Sequence, residues 1–441
     1  MVNVPNRLII PSPITDMMTS SHSFYNYEDH MDPCSNPELL LLEEARSFLI
    51  NKLPIIATSA PCSYHSAHGH YLAKRAQAST AIPSFPNSAM DGYAFAYEDL
   101  AKYQNLAITQ KILAGDTHQY KINAGECARI MTGAPMPQGA DTVVMQEHTQ
   151  TQGTKLTVTK RPKQHANVRL AGDSIAKDAI VAEQGERLNA AHIGLLASIG
   201  TQQVECYQPI TVGIFSTGDE LKAPGEILEF GQIYDSNRAM LIAMLAHLPV
   251  KVIDFGAIDD SLENISNVLL KANSQCDVIL SSAGVSVGTA DFTKDALEKL
   301  GKIEFWKVAM KPGKPVAFGQ LSDSYFFGLP GNPVSAAVTF LQLVKPALEK
   351  LGGGNVQIQP QWQAKASAKF KKKPGRTDFQ RAIANINAQG QWEVKPVGSQ
   401  SSASLLSFTQ ANCFAVIELE RGDVEPGENI TIEMFPALLV M

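Results

Sequence analysis

From residue 210 onward, short apolar runs alternate with helical patterns, and this alternation constrains the fold more than any other feature. "ITVGIFSTGDEL", "KVIDFGAIDD", "DVILSSAGVSVG" and "YFFGLPGNP" read as strands, with "SNRAMLIAMLAHL" and "NPVSAAVTFLQLVKPALEKL" as helices. Such near-continuous apolar strands are buried on both faces, which predicts a parallel-type sheet between two helical layers. Three of the strands open into loops of small residues: Ser216-Thr217-Gly218, Ser282 to Gly288, and Gly328-Leu329-Pro330-Gly331. In open α/β sheets, ligands bind at the carboxyl ends of strands. A loop without bulky side chains lets backbone N–H groups approach an anion, and a following helix N-terminus adds favourable partial charge. A tight turn explains one such loop; three in one domain, with acids beside two of them, point to a phosphate-like ligand.

Those acids are Asp219 and Glu220 in "STGDEL", Asp259 and Asp260 in "AIDD", and Asp291 in "GTADF". Carboxylates at strand ends suit Mg²⁺, which keeps several waters and shares its shell with substrate phosphates. Capping of the following helices is the competing explanation for Asp219 and Asp260. Positive charge comes from "WKVAMKPGKPVAFG", where Lys307, Lys311 and Lys314 surround a rigid Pro-Gly turn that fixes an ammonium in place. The basic run "KFKKKPGRTDFQR" adds Arg376 and Arg381.

At 441 residues the chain is too long for a single core, which predicts three or four domains. Residues 1–32 are polar and aperiodic and read as a disordered extension, with Met31 a plausible start. "SNPELLLLEEARSFLINKL" predicts a helix with Ser35 or Asn36 as cap, Pro37 in the first turn, and Leu41, Ala45, Phe48 and Leu49 on one face. Residues 59–169 show short alternating strands and turns. A turn-rich stretch from 170 leads into the helix "NAAHIGLLASIG", which Gly200 stops. "LGGGNVQ" reads as a linker, and the alternating strands beyond it suggest a small β-barrel over 353–441.

Several functions are excluded. A net charge of −6 argues against nucleic acid as partner. No apolar run approaches the ~20 residues that span a bilayer. Six scattered cysteines without a C-x-x-C pair fit reduced thiols and a cytoplasmic location. There is no P-loop, no G-x-G-x-x-G fingerprint and no G-x-S-x-G elbow. Cys62, His65, His68 and His70 match no standard zinc spacing.

Seven stretches then occur in order: "FPNSAMDGYAF" (85–95), "RIMTGAPMPQGADTVV" (129–144), "STGDEL" (216–221), "GQIYDSN" (231–237), "SAGVSVGTADFT" (282–293), "KPGKPVAFG" (311–319) and "GLPGNPVSA" (328–336). With them the chain resembles the molybdopterin molybdenumtransferase family (MoeA-type, related to the E domain of gephyrin) from about residue 35 to the C-terminus. The resemblance implies four parts: a segmented domain I (33–58 and 170–207), an inserted α+β domain II (59–169), a molybdopterin-binding α/β domain III (208–352) and a β-barrel domain IV (353–441). It implies a homodimer, in which the partner's domain II stands near the site of domain III. The reaction is Mg²⁺-dependent insertion of molybdate into adenylylated molybdopterin, with release of AMP. Asp91, Thr132, Glu220, Asp260 and Asp291 are implied as catalytic, the last three also as metal ligands. Ser216, Thr217, Gly218, Asp235, Ser236, Asn237, Gly284, Ser286, Gly288, Lys307, Pro330, Gly331, Asn332 and Pro333 are implied to bind the pterin substrate. Lys311, Lys314, Ser335, Arg381 and Ser402 are implied to bind molybdate. The upstream adenylyltransferase and apo-molybdoenzymes are the implied protein partners.

Two departures from the family pattern stand out. Where the family usually has Gly-Glu-Asp, this chain reads Gly172-Asp173-Ser174, so the acid most often linked to activity is a serine. Where it has two glycines, this chain reads Ala283-Gly284, which costs roughly 1 kcal/mol if position 283 needs positive φ. The competing functions are a non-catalytic carrier or scaffold of molybdenum cofactor and a molybdopterin adenylyltransferase.

Overall fold

The computed structural model describes residues 39–284 and 292–439. At its centre is a six-stranded sheet in the spatial order 250–258, 210–217, 278–282, 325–329, 315–320, 302–307. The first four strands are parallel, with Val212 facing both Val252 and Val278. Strand 315–320 runs antiparallel to both its neighbours, 325–329 and 302–307. The sheet is therefore mixed where the apolar runs predicted a parallel type. A tight turn, in which Leu321 N–H donates to the Ser324 carbonyl, joins two of its strands, and so short a connection permits only an antiparallel hairpin.

Each central strand is apolar on both sides because each side has its own helical layer. Phe215, Ile279 and Phe326 pack with Ile265 and Leu269 of helix Leu262–Asn273 and Ala296 of helix Phe292–Leu300. Ile214, Leu280 and Phe327 point the other way, into a core with Leu241, Val338 and Leu348. Helix Leu42–Lys52 joins this second core through Leu42, Ala45 and Leu49. It begins later than expected: Leu41 precedes its first turn, and its N–H donates to Glu44. The caps expected at Ser35 and Asn36 lie outside the described residues.

Strand Ser59–Ser63 pairs with Gln203–Tyr207, and Ala76–Gln77 with Ile180–Ala182. Leu72, Val181, Leu196 and Cys206 form their common core. Residues 59–82 thus share a core with the returning segment, and the inserted six-stranded sheet occupies a narrower span than 59–169. Its strands lie in the order 142–145, 92–95, 126–130, 106–112, 155–158, 149–152. The C-terminal sheet closes on itself: strand Thr377–Ile386 pairs with both Trp392–Pro396 and Cys413–Ile417, completing a five-stranded barrel.

"LGGGNVQ" is not a loose linker. Its glycines let the backbone pass between two rings: a Cβ on Gly353 would lie 2.4 Å from the Tyr207 ring, and one on Gly354 2.6 Å from that of Tyr71. Among the described residues no helix is long and apolar enough to cross a membrane.

Candidate active site

The small-residue loops converge at one edge of the α/β sheet because their strands are adjacent and parallel. Ala283 N–H donates to the Leu329 carbonyl (3.0 Å), and Asn237 Nδ2 donates to the Gly331 carbonyl (2.8 Å). Gly284 has φ +74°, and a Cβ there would lie 2.3 Å from Thr293 Oγ1. Ser216 Oγ, Asn237 Oδ1 and Thr293 Oγ1 are buried without a hydrogen-bond partner among the described residues. Proteins rarely leave such atoms unpaired. Their grouping at this edge suits a site completed by a polar ligand. Ser286, Gly288 and Asp291 lie outside the described residues.

Ala283 itself sits at φ +72°, so the departure from glycine carries strain. The left-handed conformation costs alanine about 1–2 kcal/mol, while glycine loses about 0.4–1 kcal/mol more chain entropy on folding. Strain outweighs entropy here. Ala283→Gly should raise stability by about 1 kcal/mol, read from a denaturant midpoint; an unchanged or lower midpoint would contradict this.

Some implied substrate residues have evident structural duties. Asp235 caps helix Ser236–Leu245 by accepting from Arg238 N–H and pairs with Arg238 Nε at 2.8 Å. Pro333 opens helix Pro333–Thr339, after Asn332, and Val334 N–H donates to the Ser402 carbonyl across to the barrel. Pro330 follows strand Tyr325–Leu329 at this same edge. Lys307 ends the edge strand Lys302–Lys307, where its carbonyl accepts from Leu40 N–H.

The acids gather beside the first loop. Glu220 folds over Gly218, where a Cβ would lie 2.6 Å from its Oε2. Asp219 accepts from Asp260 N–H at 2.9 Å. Helix Leu262–Asn273 is capped by Ser261 and not by Asp260, so capping does not account for that acid. Burial, then the charges of Asp219 and Glu220, raise the Asp260 pKa. Among the described residues no group of three His, Cys, Asp or Glu side chains could hold a metal.

A second feature opens where the α/β domain meets the barrel. Lys311, Lys314, Ser335, Arg381 and Ser402, which come from separate stretches of sequence, line a single cleft of about 530 Å³. Met310–Lys311 forms a short parallel bridge to Thr377–Asp378, which draws the Pro-Gly turn against the barrel. Lys371 and Arg376 line the same cleft. Arg381 is 1% exposed; its Nε donates to Ser407 Oγ (3.0 Å), and its Nη2 to the carbonyls of Ser399 (3.2 Å) and Ser401 (2.9 Å). It thereby holds the loop that presents Ser402. Among the cleft residues not singled out from the sequence are Asp378, 2.9 Å from Lys311 Nζ, and Gln380, which donates to Asp378 at 3.2 Å. Both lie within a run of five buried positions, where inward and outward residues do not alternate.

Asp91 and Thr132 meet in the inserted sheet. Asp91 Oδ1 accepts from both Thr132 N–H (2.7 Å) and Thr132 Oγ1 (2.8 Å). These bonds, the backbone one first, hold the exposed carboxyl below its usual range. No hydrogen bond or ion pair among the described residues joins this pair to the α/β loops. Thr132→Val removes one of the two bonds, so the Asp91 pKa should rise. If Asp91 acts as a base, the acidic limb of the pH–activity profile should then move to higher pH; an unmoved limb would show that the threonine hydroxyl does not tune it. Asp173 is occupied in a turn, accepting from Leu170 N–H at 2.6 Å, while Ser174 N–H donates to the Ile82 carbonyl.

Three family models match the chain in succession. The MoeA N-terminal region (domain I and II) covers residues 40–200, a probable molybdopterin binding domain 213–387, and the MoeA C-terminal region (domain IV) 363–435. A molybdopterin molybdenumtransferase of Haemophilus influenzae is 44% identical over 403 residues, covering 91% of this chain and all of that one. The protein of the same name from Nostoc sp. is 34% identical over 381 residues, 84% of this chain and 87% of its own. Among solved structures, a molybdopterin biosynthesis MoeA protein from Pyrococcus horikoshii superposes with a TM-score of 0.77 at 25% identity, over 90% of this chain and all of that one. Identity along nearly the whole length, the order of the matched regions and the shared fold agree: the chain belongs to the molybdopterin molybdenumtransferase family.

Proposed function

We propose that the chain is a molybdopterin molybdenumtransferase of molybdenum cofactor biosynthesis, which takes adenylylated molybdopterin and molybdate, inserts the metal and releases AMP. The observation that carries this is the cleft between the α/β domain and the barrel, where cations and hydroxyls from separate stretches face one space suited to an oxyanion. The loops at 216–218, 283–284 and 330–333 bind the pterin substrate's phosphates through backbone N–H groups, with Ser216 and Asn237 offering their free polar atoms. Lys311, Lys314, Ser335 and Ser402 hold molybdate, and Arg381 shapes their loop.

The acids beside Gly218 fit Mg²⁺ that shares its shell with substrate phosphates. Glu220 and Asp260 are hard oxygen donors; burial first and then the charges of Asp219 and Glu220 raise the Asp260 pKa, and a cation would relieve the second of these. Asp291 is the third candidate ligand. When bound, the ion supplies charge stabilisation at phosphoryl oxygens. Asp91, with Thr132 holding its carboxylate ionised, serves as a proton acceptor. It acts from the partner subunit of a homodimer; within one chain no hydrogen bond or ion pair among the described residues joins it to the α/β loops. The five described cysteines are free, which suits the cytoplasm, where the adenylyltransferase that makes the substrate and the apo-molybdoenzymes that take the product would be met.

The test is AMP release from adenylylated molybdopterin and Mg²⁺, with and without molybdate. Molybdate-dependent release with metallated pterin supports the transferase and makes Ser174 a tolerated change. Tight pterin binding without release would leave a carrier, with Ser174→Asp the first variant to make. ATP consumption would instead indicate adenylyl transfer.

A further inference from the structure

Asp378 is the only carboxylate among the described residues that line the oxyanion cleft, against the cations Lys311, Lys314, Lys369, Lys371, Arg376 and Arg381. Its side chain is 3% exposed, and its Oδ2 accepts from Lys311 Nζ at 2.9 Å and from Gln380 Nε2 at 3.2 Å. Lys311 is 47% exposed and reaches Asp378 across the bridge between the two domains. A site built only to attract an anion has no use for a buried negative charge on one of its lysines. Lys369 differs, since it pairs with Asp423 and Glu425, which are not cleft residues.

We propose that Asp378 is the internal counter-anion of the cleft, an affinity-setting residue that holds Lys311 while the cleft is empty and opposes the oxyanion that binds there. Two like charges sharing one lysine repel strongly at the low effective dielectric of a partly buried site. An ammonium has three donors, so Lys311 can keep Asp378 on one and offer the others to the ligand. The oxyanion is then held by the lysines and hydroxyls yet stays loose enough to move on to the pterin. A substrate bound too tightly in its ground state gains nothing in turnover. The inference rests on the reading of this cleft as the molybdate site.

The test is Asp378→Asn in the full-length protein, which keeps the shape and removes the charge. Molybdate alone and sulfate alone are titrated into each protein by calorimetry at low chloride. Both should bind the variant on the order of tenfold more tightly, and the KM for molybdate should fall without a rise in kcat. Structural damage weakens binding, so tightening separates the removed charge from a fold defect. Unchanged or weaker binding by the variant would overturn the inference and make Asp378 an orienting or structural partner of Lys311. If the wild-type protein binds neither oxyanion, and Lys314→Ala changes nothing, the reading of the cleft fails first and the inference with it.

Discussion

Asp91→Asn should lower kcat by about 10²-fold or more, the usual range for loss of a positioned acid or base, while the protein stays folded. Charge and geometry separate cleanly at this position. Asparagine keeps an Oδ1 able to accept both Thr132 donors, which now lie at 2.7 and 2.8 Å, so the local structure is retained. What disappears is the carboxylate. Asp91 is solvent-exposed, and exposed substitutions that keep their hydrogen bonds change stability little. Steady-state kinetics beside a thermal melt reads both expectations. Pterin affinity falling in step with turnover would make Asp91 a binding residue instead.

Arg381→Met should destabilise the protein by several kcal/mol and weaken molybdate binding at least tenfold, for reasons that work against each other. Burial lowers the arginine pKa to about 10, equivalent to about 3 kcal/mol at neutral pH, and removing the charge recovers that cost. Against it stand three hydrogen bonds from a charged donor, to Ser407, Ser399 and Ser401, each worth about 1.5–3 kcal/mol. The bonds outweigh the burial cost, and methionine leaves their acceptors unpaired. The same loop carries Ser402, whose carbonyl receives Val334 N–H from the helix opposite, so its release disturbs the cleft. A urea titration with molybdate calorimetry measures both effects. A variant as stable as wild type would mean that water replaces the guanidinium at these acceptors.

Much of the site was legible in the sequence because its chemistry is written in residue type. Loops of Gly, Ser and Ala after apolar strands marked where the backbone carries no bulky side chain, and at Gly284 the space a side chain would need is filled by Thr293. Lys311 and Lys314 stood out by their Pro-Gly turn, and Arg376 and Arg381 were picked from a basic run that also supplies Lys369 and Lys371 to the cleft, two lysines that nothing local set apart. The seven ordered motifs carried the family. Asp378 was not legible. An acid in a strand of the barrel has no local mark that it faces a lysine from another domain.

The sequence by itself determined the apolar strands with a helical layer on each face, the closed barrel of alternating strands and the small-residue make-up of the loops, because periodicity and residue chemistry are local properties. Tertiary structure alone decided the rest. It set the antiparallel edge of the central sheet, joined residues 59–82 to the segment near 203–207, and turned a glycine run into a packed joint between Tyr71 and Tyr207. It also brought Lys311 to Asp378. All but the hairpin edge depend on contact between distant segments. A missing Cβ or a lone carboxylate looks the same in the chain whether it ends in solvent or against a partner, and only packing chooses between them.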